Sequence, residues 1–332
     1  MIDLKTTYLG LSLKNPLVAS ASPLSKNVDS VRQLEDAGAA AVVLYSLFEE
    51  QIRQESLALN EVLNRGTESF AEALSYFPEV DDYNIGAEKY LKHLQKIKAT
   101  VEIPIIASLN GSSPGGWLEY AEKIQDAGAD ALELNIYHMP TDVQLTSDTL
   151  EQNQIDLVRQ IRNKLTIPLS VKLSPYYSAF ASFARRITEA GADGLVLFNR
   201  FYQPDLDIVN LKVMTNLDLS QSEELRLPLR WVAILFDRVQ TDFAITSGIH
   251  TREDIVKAVM AGANVTMMAS TLLKNGIPHL SNLLNGLENW METYQYASVE
   301  QMRGVMSQKR VENPAAFERA NYLRILNSLD NK

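Results

Sequence analysis

Four side chains and two short turns carry most of the chemistry this chain can do. Lys172 closes the apolar run Leu169-Ser170-Val171-Lys172. A cation there, beside a ligand ring, stabilises anionic character on that ring; the alternative is a lysine snorkelling from a strand end into solvent. Asn135 and Asn199 close two further apolar runs. Two amides facing one cavity suit hydrogen bonds to a planar heterocycle, or else they tie loops together. His138 stands three residues past Asn135, and an imidazole titrating near neutrality suits general acid–base work, with a backbone-bonded loop histidine as the plain reading. The other histidines, His93, His250 and His279, complete no metal-ligand spacing, so no metal is expected.

The two turns are Thr246-Ser247-Gly248-Ile249 and Met268-Ala269-Ser270-Thr271. Each puts small residues where an apolar run gives way to a helical one. A glycine lets backbone approach an anion and free N–H groups at a helix start donate to it, which points to a phosphate; plain helix caps are the competing reading.

The elements that must position these residues are marked by two repeated joints. Ala37-Gly38-Ala39, Ala127-Gly128-Ala129, Ala190-Gly191-Ala192 and Ala261-Gly262-Ala263 each lead from an amphipathic stretch into an apolar run. A left-handed glycine ending a helix before a buried strand explains the pattern. Pro16, Pro104 and Pro168 open three more runs, as proline can at a strand's first position. With Asp242-Phe243-Ala244-Ile245-Thr246 this gives eight strands, apolar enough to be parallel and buried on both faces. Eight βα units suit an α/β (β/α)₈ TIM barrel of roughly 250 residues or more. A doubly wound sheet is disfavoured because no Gly-x-Gly-x-x-Gly follows the first strand.

The chain has 332 residues, a formal charge of −10 and no cysteine. Scattered basic residues under a net negative charge argue against nucleic acid or an anionic membrane surface as partner. Without cysteine there is no disulfide, thiolate metal site, self-ligated iron–sulfur cluster or cysteine nucleophile. No apolar stretch is long enough for a membrane span and Met1-Ile2-Asp3-Leu4-Lys5 opens no leader, so a soluble cytoplasmic protein is expected, with residues 1–332 as one barrel domain. Two insertions, Tyr45 to Ile85 after strand 2 and Asn199 to Leu229 after strand 6, follow strand C-terminal ends and are expected to wall or cover the site, the second as an irregular polar passage. A helical C-terminal extension is expected over Leu283 to Leu329.

Several segments together resemble the dihydroorotate dehydrogenase family, its soluble class 1 and divergent members above all. They are Asn15-Pro16-Leu17-Val18-Ala19-Ser20, Glu133-Leu134-Asn135, Val171-Lys172-Leu173-Ser174-Pro175-Tyr176 and the two phosphate-type turns, and the similarity runs over nearly the whole chain. The resemblance implies an FMN-containing barrel that oxidises dihydroorotate to orotate in pyrimidine biosynthesis, with hydride passing between a substrate C–C bond and flavin N5. It implies that Ala19, Ser20 and Ala21 border the flavin, that Asn135 and Lys172 contact its ring or ribityl chain, and that Ser247, Gly248, Ala269 and Ser270 hold its phosphate. It also implies a small-molecule substrate and a homodimer.

Departures from the family concentrate on the substrate side. The family's active-site cysteine aligns with His138, making His138 with Lys172 the catalytic candidates, and the asparagine closing its Cys-Pro-Asn aligns with Pro140. The family's substrate loop aligns with Pro78 to Asn84, keeping only the final asparagine, and its lysine after strand 2 aligns with Tyr45. Tyr45, Asn135 and Asn199 are the substrate-binding candidates. Glu79, Asp81 and Asp82 add negative charge where a carboxylate substrate wants positive potential, which implies an altered substrate or a refolded lid. Two other functions stay open: a flavin-binding electron-transfer or regulatory subunit without substrate chemistry, and a flavin-free barrel acting on a phosphorylated metabolite.

Overall fold

The eight apolar runs form one closed ring of parallel strands in a computed structural model that describes residues 2–52, 87–111, 115, 118–200, 203–214, 217–318 and 322. The strands are β1 (Leu17–Ala19), β2 (Ala41–Val43), β3 (Ile105–Asn110), β4 (Ala131–Asn135), β5 (Leu169–Leu173), β6 (Gly194–Leu197), β7 (Asp242–Thr246) and β8 (Val265–Met268). Each pairs with its successor and β8 pairs with β1, so the barrel has no free edge. Helices α1 (Val28–Asp36), α2 (Ala87–Lys98), α3 (Glu119–Asp126), α4 (Ser147–Arg162), α5 (Phe180–Glu189), α6 (Arg226–Leu235) and α7 (Arg252–Ala261) fill the connections, and α8 (His279–Thr293) follows β8. This is the expected (β/α)₈ barrel.

The joints behave as their residue types require. Gly38, Gly128, Gly191 and Gly262 all take positive φ, +105°, +94°, +111° and +126°. At Gly262 the reason is also steric, since a Cβ there would meet the Phe236 ring at 2.4 Å. Each proline immediately precedes the first residue of its strand, Leu17, Ile105 or Leu169.

Alternation along the strands sorts side chains between two cores. Leu132 and Leu134 of β4, and Leu169, Val171 and Leu173 of β5, join the large outer core against the helices. Their neighbours face inward, where Val18, Val43, Ile106, Val196, Val265 and Met267 build an apolar floor. An antiparallel hairpin absent from the sequence expectations, Thr6–Tyr8 with Leu11–Leu13, plugs this floor with Tyr8, Leu9 and Leu13. Each fully buried apolar side chain contributes roughly 1.5–3 kcal/mol. Registers set polar residues above the floor: Ser108, Glu133 and Ser170 lie side by side, and Asn110, Asn135 and Lys172 form the next row, which meets the floor's Val196 because the strands of a barrel are staggered.

Two expectations are corrected. The passage after strand 6 contains an antiparallel hairpin, Asp205–Asp207 with Lys212–Met214, whose Leu206, Ile208, Val209, Leu211 and Val213 are exposed. Leu211 turns it at φ +53°. The C-terminal extension is helical only in part: α8 stops at Thr293, the short helix Val299–Met302 follows, and Gly304 at φ +74° turns the chain back. It then laces α6 and α7 together through Gly304 N–H to Val259 O, Met306 N–H to Met260 O and Gln308 N–H to Ala233 O. The acidic-aromatic run 76–83, the aligned loop Pro78 to Asn84 and the chain beyond Tyr322 lie outside the described residues.

Candidate functional site

Lys172 is where the barrel concentrates charge. Its side chain is buried, not snorkelling, and its Nζ lies 3.7 Å from Glu133 Oε1, the two side chains 9% and 0% exposed. A two-residue step along the strands, one side-chain layer, produces this pair, because Glu133 sits opposite Ser170 while Lys172 sits opposite Asn135. Breaking such a buried pair by removing one partner costs about 3–5 kcal/mol. Ser108 donates to Glu133 Oε1 at 3.5 Å and shares a 2.8 Å hydrogen bond with Ser46.

The two amides meet. Asn199 Nδ2 donates to Asn135 Oδ1 at 2.7 Å, and Asn199 N–H donates to Leu173 O. The bond satisfies one group on each side chain; among the described residues the Asn135 amino group and the Asn199 carbonyl are left for a ligand.

At the β7 exit Ser247 and Gly248 take φ +72° and +76°. For a serine that conformation costs about 1–2 kcal/mol, a strain typical of functional turns. Gly248 N–H points to Ser220 Oγ at 3.5 Å, and Ser220 N–H donates to Ser270 Oγ at 3.1 Å. Ser220 Oγ also lies 3.1 Å from His250 Nε2. Ser270 starts the short helix Ser270–Asn275, with Ala269 at its N-cap. Both turns therefore converge on one buried residue, Ser220. Burial, partly offset by Asp254, pulls the His250 imidazole below its ordinary range.

A cavity of about 230 Å³ gathers Ser20, Ala21, Lys172, Asn199, Ser247, Gly248, Ala269 and Ser270 in its lining. It shares Phe198, Asn199, Arg200, Thr246 and Ser247 with an open hollow of about 510 Å³ beside it. Ala19 is buried one residue below, at the end of β1. Asn135 reaches the cavity through Asn199.

The structure does not bring His138 and Tyr45 into this lining. His138 is half-buried on the segment between β4 and α4. Tyr45 packs edge-on to Tyr90 at 5.2 Å, and Lys26 Nζ stands 5.6 Å from its ring centroid. Burial pushes the Tyr45 phenol up. Among the described residues no cluster of three His, Asp or Glu side chains could hold a metal ion. None of their helices is long and apolar enough to cross a membrane.

Sequence reasoning missed Glu133 and Ser220 as site residues. Glu133 left a signal, a carboxylate between two leucines in a strand, which alternation turns inward. Ser220 left none, since its partners Gly248 and Ser270 are 28 and 50 residues away.

Residues 81–291 match the family model described as dihydroorotate dehydrogenase. The catalytic subunit of dihydroorotate dehydrogenase B (NAD(+)) from Thermoplasma acidophilum is 27% identical over 313 residues, covering 92% of this chain and 99% of the relative. The corresponding subunit from Methanothermobacter thermautotrophicus is 24% identical over 308 residues, 91% and 98% of the two chains. The NAD-dependent dihydropyrimidine dehydrogenase subunit PreA of Escherichia coli is 22% identical over 334 residues, 91% of this chain and 76% of the relative.

Proposed function

The chain belongs to the dihydroorotate dehydrogenase family, and on that premise we propose that it is an FMN-dependent oxidoreductase acting on a C–C bond of a small, pyrimidine-like ring, with dihydroorotate the first substrate to try. The observation that carries this is the convergence, in one cavity, of a buried ammonium, an amide pair and two small-residue turns. That donor set fits FMN: a flat polar ring over Lys172 and the amides, a phosphate at Ser247-Gly248 and Ala269-Ser270.

When bound, FMN supplies a two-electron hydride acceptor. The chain's own part is electrostatic and steric. Lys172 opposes the negative charge that accumulates over the cavity floor. Asn135 and Asn199 fix the plane and rotation of what lies against them. Ser20, Ala21 and Ala269 are small enough to let a ring lie close to backbone. His138, carried on the β4–α4 segment, moves the companion proton to or from substrate, and Tyr45 with Lys26 forms part of the substrate wall.

The test is an absorption spectrum of the purified protein followed by anaerobic addition of dihydroorotate. Flavin bands and their bleaching are expected, and His138→Ala should slow bleaching by about 10²–10⁴-fold. No flavin bands even after reconstitution with FMN would remove the proposal. Bleaching by other ring compounds but not dihydroorotate would change only the substrate. A second reading, a flavin-carrying subunit without substrate chemistry, draws support from His138 and Tyr45 standing off the cavity; it wins if His138→Ala leaves every reduction rate unchanged. The exposed apolar hairpin 205–214 supports a homodimer, which Leu211→Asp should weaken in a mass measurement of the native protein.

A further inference from the structure

We propose that Glu133 is the counter-charge of Lys172, a positioning residue that seats the ammonium beneath the barrel mouth and cancels its charge toward the bound cofactor. The inference rests on the FMN reading for its consequence but not for its geometry. Among the eight strands Glu133 and Asp242 are the only carboxylates and Lys172 the only cation. Asp242 opens β7 at the opposite end, bonded to Leu9 N–H and Asn264. Glu133 is fully buried and one layer below Lys172. Its Oε1 faces the ammonium at 3.7 Å and Ser108 at 3.5 Å. Among the described residues its Oε2 has no hydrogen-bond partner. Below it the Tyr8 phenol, held protonated far above its ordinary range by burial first and by Glu133 second, brings no charge of its own. The ammonium is thus drawn down toward the floor, and the floor as a whole is near neutral instead of carrying a unit positive charge.

A neutral floor tunes the cofactor. A lone cation there would favour the electron-rich, reduced state of anything above it; the pair moderates that preference. Removing the carboxylate while keeping its shape should therefore make the bound flavin easier to reduce.

The experiment compares wild type, Glu133→Gln, Lys172→Met and the double variant. Midpoint potentials of bound FMN are measured at pH 6, and urea unfolding is followed on the flavin-free chains. Glu133→Gln is expected to shift the reduction equilibrium at least tenfold toward reduced, about 30 mV for a two-electron couple. Lys172→Met should shift it the other way, with the double variant near wild type. In the flavin-free chains each single change should lower the urea midpoint, and the double change should lower it by less than their sum. A Glu133→Gln potential equal to wild type overturns the electrostatic role, and additive unfolding overturns the pairing. If wild type takes up no FMN, the flavin reading falls while the unfolding cycle still decides the pairing. If Glu133→Gln does not fold, the double variant is compared with Lys172→Met, and a potential that fails to rise on losing the carboxylate overturns the proposal.

Discussion

The two ends of the barrel interior are built from the same strands and do opposite things. At the lower end Val18, Val43, Ile106, Val196, Val265 and Met267 meet Tyr8, Leu9 and Leu13 of the plugging hairpin, and all but the Tyr8 hydroxyl is apolar. In the layers above, β3, β4 and β5 present Ser108, Glu133, Asn135, Ser170 and Lys172, nearly as buried but polar and charged. Burial is similar, so exposure does not distinguish them. What differs is cost: the floor gains free energy from every side chain it encloses, whereas the upper layers lose it unless each polar group finds a partner. A region that keeps a lysine and a glutamate under those conditions is maintained for a ligand more readily than for stability.

The sharpest way to break this contrast is to damage the floor and look at the mouth. Tyr8→Ala removes the largest plugging side chain and should cost about 3–5 kcal/mol by urea unfolding. Flavin bound per folded molecule should not change. If flavin affinity falls with stability, the two ends are coupled and the division is false.

Gly248→Ala works from the other side. Its Cβ would stand 2.2 Å from Leu225 N at a φ of +76°, so the 217–225 segment must withdraw from the turn. FMN affinity should drop about 100-fold, near 2.7 kcal/mol, with riboflavin binding less affected because the lost donors face the phosphate. Equal losses for both ligands would place the phosphate elsewhere.

Much of this arrangement can be read in the chain, because its signals are local. Glycine's access to positive φ and proline's tolerance at strand starts are properties of single residues, so seven of the eight barrel strands carry a mark within two or three positions of their start. The plugging hairpin carries no such mark. Thr6–Tyr8 and Leu11–Leu13 are three residues each, and Tyr8 is buried only because a barrel exists to receive it. The 205–214 hairpin is similarly short, and its apolar side chains face outward, against the usual pattern. At the site, Lys172 and the two asparagines are legible as strand-end residues. That Asn135 and Asn199 bond to each other, or that Lys172 turns down to Glu133, depends on register between strands, which no single strand encodes.

Asn199→Ala tests that register-dependent part with a smaller effect. It deletes the 2.7 Å bond and leaves Asn135 Oδ1 without its donor. About tenfold weaker flavin binding is expected, roughly 1.5 kcal/mol, with the urea midpoint moving little. A stability loss without a binding loss would make the amide pair a loop tie and not part of the cavity.

The smallest effect is a pH dependence at the rim, where His250 touches Ser220. Burial lowers the imidazole's affinity for a proton in the fold. The unfolded chain therefore binds that proton more readily in the interval below the ordinary histidine pKa of about 6.5. Stability contributed there is complete above about pH 6.5 and is lost as pH falls through the interval. Thermal unfolding followed from pH 7.5 down to 5 should show the melting temperature of wild type falling more steeply than that of His250→Gln. Since the imidazole is only partly buried, the difference should be slight. It should shrink in the presence of inorganic phosphate if the Ser220 hydroxyl lies against the anion, because a protonated His250 can only donate to Ser220, which frees the hydroxyl proton for phosphate and lets the bound anion offset the cost of protonation. Identical slopes with and without phosphate would mean that His250 belongs to the scaffold behind the mouth and takes no part in the site.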